Sequence, residues 1–295
     1  MSIAYLNGDF IPLEEARVSV LDRGFLFADA IYEVIPVYAG KLFRFSQHMQ
    51  RLQKSLQAIE LPLDRQEHQW LSIFEHLIEV NQQRNAIIYL HISRGAYPER
   101  SHDFPCPVIP TILAMISPLP AYQEQIQLSD IKGLSVITAE DIRWHRCDIK
   151  ATSLLANCLM KQRALESGAD DTILVRDGLA NEATSSNLFI VKDDVIITPP
   201  YGEKTLPGVT RDFVVKLAKK NGVKVEERYI KVSELTSADE VWLTSSSKEI
   251  CPVTQVDGVI IGEGKIGPAW IKMNQWYQRL KKQLYTGEIE GGKAL

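Results

Sequence analysis

The chain has 295 residues, 45% of them apolar and 24% charged, with a formal net charge of −4. That length exceeds what one small core organises and predicts two domains, while the acidic balance argues against nucleic acid or an anionic membrane as the main partner. The longest apolar run, 108–116, is interrupted by Pro110, the first residues lack a basic segment followed by an apolar one, and Cys106, Cys147, Cys158 and Cys251 show no metal or disulfide spacing. These features predict a cytoplasmic protein with no membrane span and no bound metal.

Taken in order, the N-terminal part opens with strands turning at Asn7-Gly8 and continues with a strand over 31–38 that meets a second, 41–45, across Ala39-Gly40. Ser46 is placed to cap a helix whose apolar positions Met49, Leu52, Leu56 and Ile59 follow helical spacing, with Pro62 beyond its end. A second helix carries Trp70, Ile73, Phe74, Leu77 and Ile78 on one face and runs out near Asn81. Strand-like runs over 86–94 and 108–116 flank a proline-containing loop, 95–107, longer than most connections and so of the functional kind.

The proline-rich stretch from Ser117 predicts a linker. It divides the chain into a small N-terminal domain (1–117), a linker (118–125), a larger C-terminal domain (126–285) and a flexible tail (286–295). The second domain begins with a strand over 134–139 and an amphipathic helix over 152–167 stopped by Gly168. A strand over 172–176 turns at Asp177-Gly178, and a helix opened by Pro207-Gly208 closes at Asn221-Gly222. A short buried strand, 241–243, and a last helix, 268–284, complete the pattern. Strands alternating with helices predict a mixed α/β (α+β) architecture in both halves.

Lys150 closes the segment Asp141-Ile-Arg-Trp-His-Arg-Cys-Asp-Ile-Lys, flanked by apolar Ile149 and Ala151. A lysine there is either a solvated helix-start charge or a carbonyl-capturing amine. Gly208, Val209 and Thr210 lie at a helix start, where free N–H groups attract phosphate, and 244–247 offers hydroxyls just after a strand. Neither matches the phosphate loop of ATP- or GTP-binding proteins, which directs attention to a small phosphorylated cofactor. Glu182, before a Thr-Ser-Ser-Asn run, suits a ring nitrogen or a solvated turn; Arg51 suits a phosphate or a solvated helix face. Arg100 and His102 put two potential cations two residues apart in the long loop, suited to a substrate carboxylate or simply exposed loop residues. One lysine, two phosphate cradles and one carboxylate are the equipment that holds pyridoxal 5'-phosphate.

The chain also resembles the fold-type IV pyridoxal-phosphate enzymes, and among them the bacterial D-amino-acid transaminases. The resemblance runs over about 5–284 through several stretches in family order. These are Asp22-Arg-Gly-Phe-Leu-Phe-Ala-Asp-Ala-Ile-Tyr-Glu-Val, Arg100-Ser-His-Asp-Phe-Pro, the segment ending at Lys150, Ser185-Ser-Asn-Leu-Phe, Gly208-Val-Thr-Arg-Asp and Thr244-Ser-Ser-Ser-Lys-Glu-Ile-Cys-Pro-Val. It implies a small N-terminal α/β sandwich and a larger C-terminal domain with a pseudo-barrel. Lys150 is then the Schiff-base lysine and proton shuttle, and Glu182 the partner of the pyridine nitrogen. Arg51, Val209, Thr210, Ser246 and Ser247 hold the phosphate, and Leu206 packs on the ring. Tyr32, Arg100 and His102 bind the substrate carboxylate, with the last two reaching across a homodimer interface. Val34 stands where branched-chain enzymes carry a glycine. The implied reaction passes an amino group from a D-amino acid to a 2-oxo acid. The alternatives are a branched-chain L-transaminase, an aminodeoxychorismate lyase, or an inactive binding protein. Ala28, Ala30 and Ala183 replace glycines of the pattern, and the 97–100 loop is one residue longer.

Overall fold

The structure, a computed structural model, describes residues 2–120 and 130–289. They divide into two compact units: the first holds 2–120, Ile149–Ser153 and 283–289, and the second holds 130–148 and Leu154–Lys282.

The first unit contains β1 (Ile3–Leu6), β2 (Asp9–Pro12), α1 (Arg23–Phe27), β3 (Ala30–Tyr38), β4 (Lys41–Leu42), α2 (Phe45–Ala58), α3 (Glu67–Val80), β5 (Ala86–Ser93) and β6 (Thr111–Pro118). The strands form one antiparallel sheet in the order β2-β1-β6-β5-β3-β4. Strand β3 shows why one face of it is sealed. Ile31, Glu33, Ile35 and Val37 alternate onto the inner face and are fully buried, while Tyr32 and Val34 on the other face are half-buried. Against the inner face pack Phe45, Met49, Leu52 and Leu56 of α2 and Trp70, Phe74 and Leu77 of α3. Each such buried side chain contributes roughly 1.5–3 kcal/mol.

Local expectations differ here in three places. Helix α2 begins at Phe45 behind a left-handed Arg44 (φ 54°), so Ser46 lies inside the helix and its hydroxyl donates to Glu67 rather than capping. The strand returning from Ala39-Gly40 is only Lys41–Leu42, because the chain turns away at Arg44. The loop after β5 extends to Pro110, as β6 starts at Thr111, and β6 runs through Pro118, the first residue of the expected linker. Residues 121–125 of that linker and 290–295 of the expected tail lie outside the described residues.

Because β4 covers only Val37 and Tyr38, the other end of β3 keeps an open edge. Residues 150–152 fill it. The Tyr32 N–H donates to the Lys150 carbonyl (3.0 Å), the Thr152 N–H donates to the Ala30 carbonyl (3.0 Å), and Ile31 bridges Ala151. This is why Ile149–Ser153 clusters with the first unit instead of the second, as the expected division at 126 had it. It also delays the helix expected from residue 152, since Thr152 is engaged in pairing.

The second unit contains β7 (Leu134–Glu140), α4 (Leu155–Glu166), β8 (Asp171–Arg176), β9 (Leu179–Ala183), β10 (Asn187–Lys192), β11 (Val195–Thr198), α5 (Val209–Lys220), β12 (Val225–Glu227), β13 (Ile230–Lys231), α6 (Val232–Ser237), β14 (Glu240–Ser245), β15 (Glu249–Val256) and β16 (Val259–Ile260). Helix α7 (Pro268–Thr286) begins here. The pairing path β10-β14-β15-β7-β8-β9 returns to β10 through Glu182 opposite Asn187, closing the sheet into a barrel with β7 parallel to both neighbours. Val136, Ile173, Leu188, Ile190, Val241 and Val253 form its apolar core. Helix α4 is less amphipathic than expected: it buries Met160 and Ala164, while Leu155, Leu159 and Leu165 are exposed. Among the described residues no helix is long and apolar enough to cross a membrane.

Candidate active site

In the first unit the pairing just described turns Lys150 onto the outer face of β3. Its side chain is buried at 9% exposure, and Nζ stands 4.0 Å from the centroid of the Tyr32 ring. Among the described residues no oxygen accepts a hydrogen bond from that Nζ, and its backbone N–H is held by the Ser55 hydroxyl (3.3 Å). Tyr32 also faces Tyr89 (ring centroids 5.7 Å apart), whose hydroxyl lies 3.2 Å from His91 Nδ1. Burial raises the Tyr89 phenol and lowers the His91 imidazole from their ordinary values, so both favour their neutral forms.

Behind that face lies a buried ionic cluster. Arg51 donates through Nε and Nη2 to the two oxygens of Glu33 (2.8 and 2.7 Å), and His48 Nδ1 lies 2.8 Å from Glu33 Oε2. Burial opposes ionisation of Glu33, but Arg51 and His48 outweigh it and hold the carboxyl well below its usual range. Burial lowers His48, with Glu33 pulling the other way. Arg51 thus spends one edge of its guanidinium on Glu33, a partner that the sequence reading omitted. Its signal was available: a glutamate in the inward register of an otherwise apolar strand.

Arg100 and His102 are exposed and are not gathered with Tyr32 in the single chain. The Arg100 guanidinium lies 4.9 Å from the Phe27 ring centroid, and the His102 ring centroid is 5.1 Å from it. Among the described residues no hydrogen bond or ring contact joins either to Tyr32.

In the second unit Glu182 sits where the barrel closes. Its Oε2 accepts from the Asn187 amide (3.0 Å) and the Leu206 N–H (3.1 Å), and Oε1 accepts from Arg143. Arg143 is itself clamped by both oxygens of Asp141 (2.9 Å each). Burial pushes the Glu182 carboxyl above its ordinary value against the pull of Arg143. Burial opposes the charge on Arg143 as well, yet Asp141 and Glu182 raise it further. Asn187 also donates to the Leu206 carbonyl (2.9 Å), so one amide orients both Glu182 and the half-buried Leu206.

Helix α5 starts at Gly208 with no side chain capping it, and Val209 and Thr210 in its first turn are buried. A buried helix start without a cap leaves N–H groups and the positive dipole end for an anion. A Cβ on Gly208 would fall 1.8 Å from Asn187 Oδ1, so glycine is required by close approach. Ser246 and Ser247 lie on the turn between β14 and β15, the first half-buried and the second exposed. The buried hydroxyl of that stretch is Thr244, opposite Asn187 in register and without a hydrogen-bond partner among the described residues. No group of three potential metal ligands occurs among the described residues. The first unit therefore offers a buried amine, and the second a buried carboxylate and an uncapped helix start. An amine reacts with a carbonyl, a carboxylate pairs with a protonated ring nitrogen, and a free helix start attracts phosphate.

A family model described as amino-transferase class IV matches residues 30–256. The D-alanine aminotransferase of Bacillus licheniformis is 41% identical over 262 residues, covering 89% of this chain and 91% of that protein. The solved branched-chain amino acid aminotransferase of Escherichia coli matches with a TM-score of 0.84 at 26% identity, covering 99% of this chain and 95% of the other. The branched-chain amino acid aminotransferase of T.th., solved with pyridoxamine 5'-phosphate, matches with a TM-score of 0.84 at 25% identity, covering 99% and 96%.

Proposed function

Because the chain belongs to the class IV aminotransferases, we propose that it is a D-amino-acid transaminase using pyridoxal 5'-phosphate, with D-alanine as amino donor and 2-oxoglutarate as acceptor. The observation that carries the reading is Lys150: a buried amine with no protein acceptor among the described residues, fixed by backbone pairing to β3 and facing Tyr32. The cofactor, when bound, supplies an electron sink for negative charge developing at the substrate Cα.

The chain's own residues do the rest. Lys150 would hold the cofactor through its carbonyl carbon and would carry the proton taken from the substrate Cα. Glu182 is oriented by Asn187 and backed by Arg143, and would pair with the ring nitrogen and favour its protonated form. The N–H groups of Val209 and Thr210 would bind its phosphate, with Arg51, Ser246 and Ser247 as further donors, and Leu206 would pack against the ring. Tyr32, Arg100 and His102 bind the substrate carboxylate, Val34 borders the same face, and Arg100 and His102 serve the partner subunit of a homodimer. The higher identity to a protein named D-alanine aminotransferase than to the branched-chain enzymes supports the D-specific reading.

The test is direct. Purified protein is expected to absorb above about 400 nm and to lose that band on Lys150→Ala. Turnover is expected with D-alanine and 2-oxoglutarate but not with L-leucine. A preference for L-leucine would overturn the stereochemical reading, and a colourless protein the cofactor reading.

A further inference from the structure

A buried side chain holds the backbone of the loop that carries Arg100 and His102. Arg23, at the start of α1, is only 6% exposed. Its Nη1 donates to the carbonyls of Ser101 (2.6 Å) and Asp103 (3.2 Å), and its Nη2 donates to that of His102 (3.3 Å). Three consecutive carbonyls therefore converge on one guanidinium. The remaining Nε donates to Asp29 (2.8 Å). Asp29 is held independently by Arg94 through two bonds (2.8 and 3.1 Å), and Arg94 also donates to the Ile59 and Glu60 carbonyls. The Arg94 guanidinium lies 3.6 Å from the Phe104 ring centroid and so pins the far end of the same loop. At the other end of α1, Phe27 is the platform on which Arg100 and His102 both rest.

We propose that Arg23 is a positioning residue for substrate binding, acting only through the backbone it fixes beneath Arg100 and His102. This rests on the carboxylate-binding role given to that loop above. The three carbonyl bonds fix the backbone of 101–103 and so hold Arg100 and His102 in one spacing. Two donors share a carboxylate effectively only when held so, since a displacement of about 1 Å can cost as much as 100-fold. A purely structural role fits less well. Removing Arg23 leaves Asp29 compensated by Arg94, and what loses its partners is the loop.

The test uses the holoenzyme with Arg23→Gln and Arg23→Lys. Cofactor absorbance should be retained, kcat should stay within about threefold, and KM for D-alanine should rise about tenfold. Lysine should not rescue it, because one ammonium cannot span three carbonyls. Hydrogen exchange at amides 101–104 should accelerate while exchange in β3 and β5 stays unchanged. Added to Arg100→Ala/His102→Ala, the Arg23 change should raise KM by less than about twofold, since coupled residues are not additive. An unchanged KM in either variant, or a full additive increase in the triple variant, overturns the proposal. If Arg100→Ala alone leaves KM unchanged, the carboxylate role of the loop has failed. The exchange measurement then still decides whether Arg23 holds the loop.

Discussion

Replacing Glu33 by glutamine removes the charge that Arg51 and His48 share, at a site where Glu33 is fully buried and the Arg51 side chain is 7% exposed. Both carboxylate oxygens are engaged within 2.8 Å, and the glutamine amide can accept from Arg51 at only one of them. Arg51 then keeps only one of its two bonds to residue 33, at a buried site. Breaking such a pair from one side costs about 3–5 kcal/mol, and the surviving bond places this case at about 3 kcal/mol. At roughly 2–4 °C per kcal/mol for a chain segment of this size, the first unit should melt about 6–12 °C lower at pH 7. The acid limb supplies a second check. The folded-state pKa of Glu33 lies below its ordinary value of 4.5, so its contribution is present above that value and is lost as pH falls through the folded-state pKa. The gap between wild type and Glu33→Gln should accordingly be widest near neutrality and narrow below about pH 4. Thermal melts followed by circular dichroism from pH 3.5 to 7.5 measure both effects. A variant melting within about 2 °C of wild type at pH 7, or a gap that widens in acid, refutes the reasoning.

Glu182→Gln should behave differently, because Arg143 keeps its two bonds to Asp141: transamination should fall by about 100-fold or more while the melting temperature falls less than for Glu33→Gln. Gly208→Ala should overpack the start of α5 against Asn187, costing about 1–3 kcal/mol by thermal melt and weakening cofactor retention on dialysis. Alkylation at pH 8 should label exposed Cys106 and Cys158 first and spare Cys147, which is buried and whose thiol is pushed up to about 11; peptide mapping showing early Cys147 labelling would contradict this.

Much of the fold was legible from local pattern. Trp70, Phe74, Leu77 and Ile78 repeat at helical spacing and all lie buried in α3, and the Ala39-Gly40 turn joins β3 to β4 as read. Errors arose where a local rule met a tertiary competitor. Ser46 has the chemistry of a cap, but the chain enters α2 through a left-handed Arg44 and the hydroxyl turns to Glu67. Thr152 has the composition of a helix start, but the open edge of β3 takes its N–H.

By itself, the sequence determined the chemistry-bearing residue types, their order along the chain and most of the elements that carry them, because periodicity and turn chemistry act over a few residues. Only the tertiary structure decided what those residues face. It set Lys150 beside Tyr32 through a five-residue run belonging to the first unit, turned one edge of Arg51 onto Glu33, and placed Glu182 at the seam where β9 meets β10. Periodicity reports which face of an element is buried. The partner across that face comes from chain segments tens to hundreds of residues away, and is set by which open edge or unpaired charge each segment satisfies.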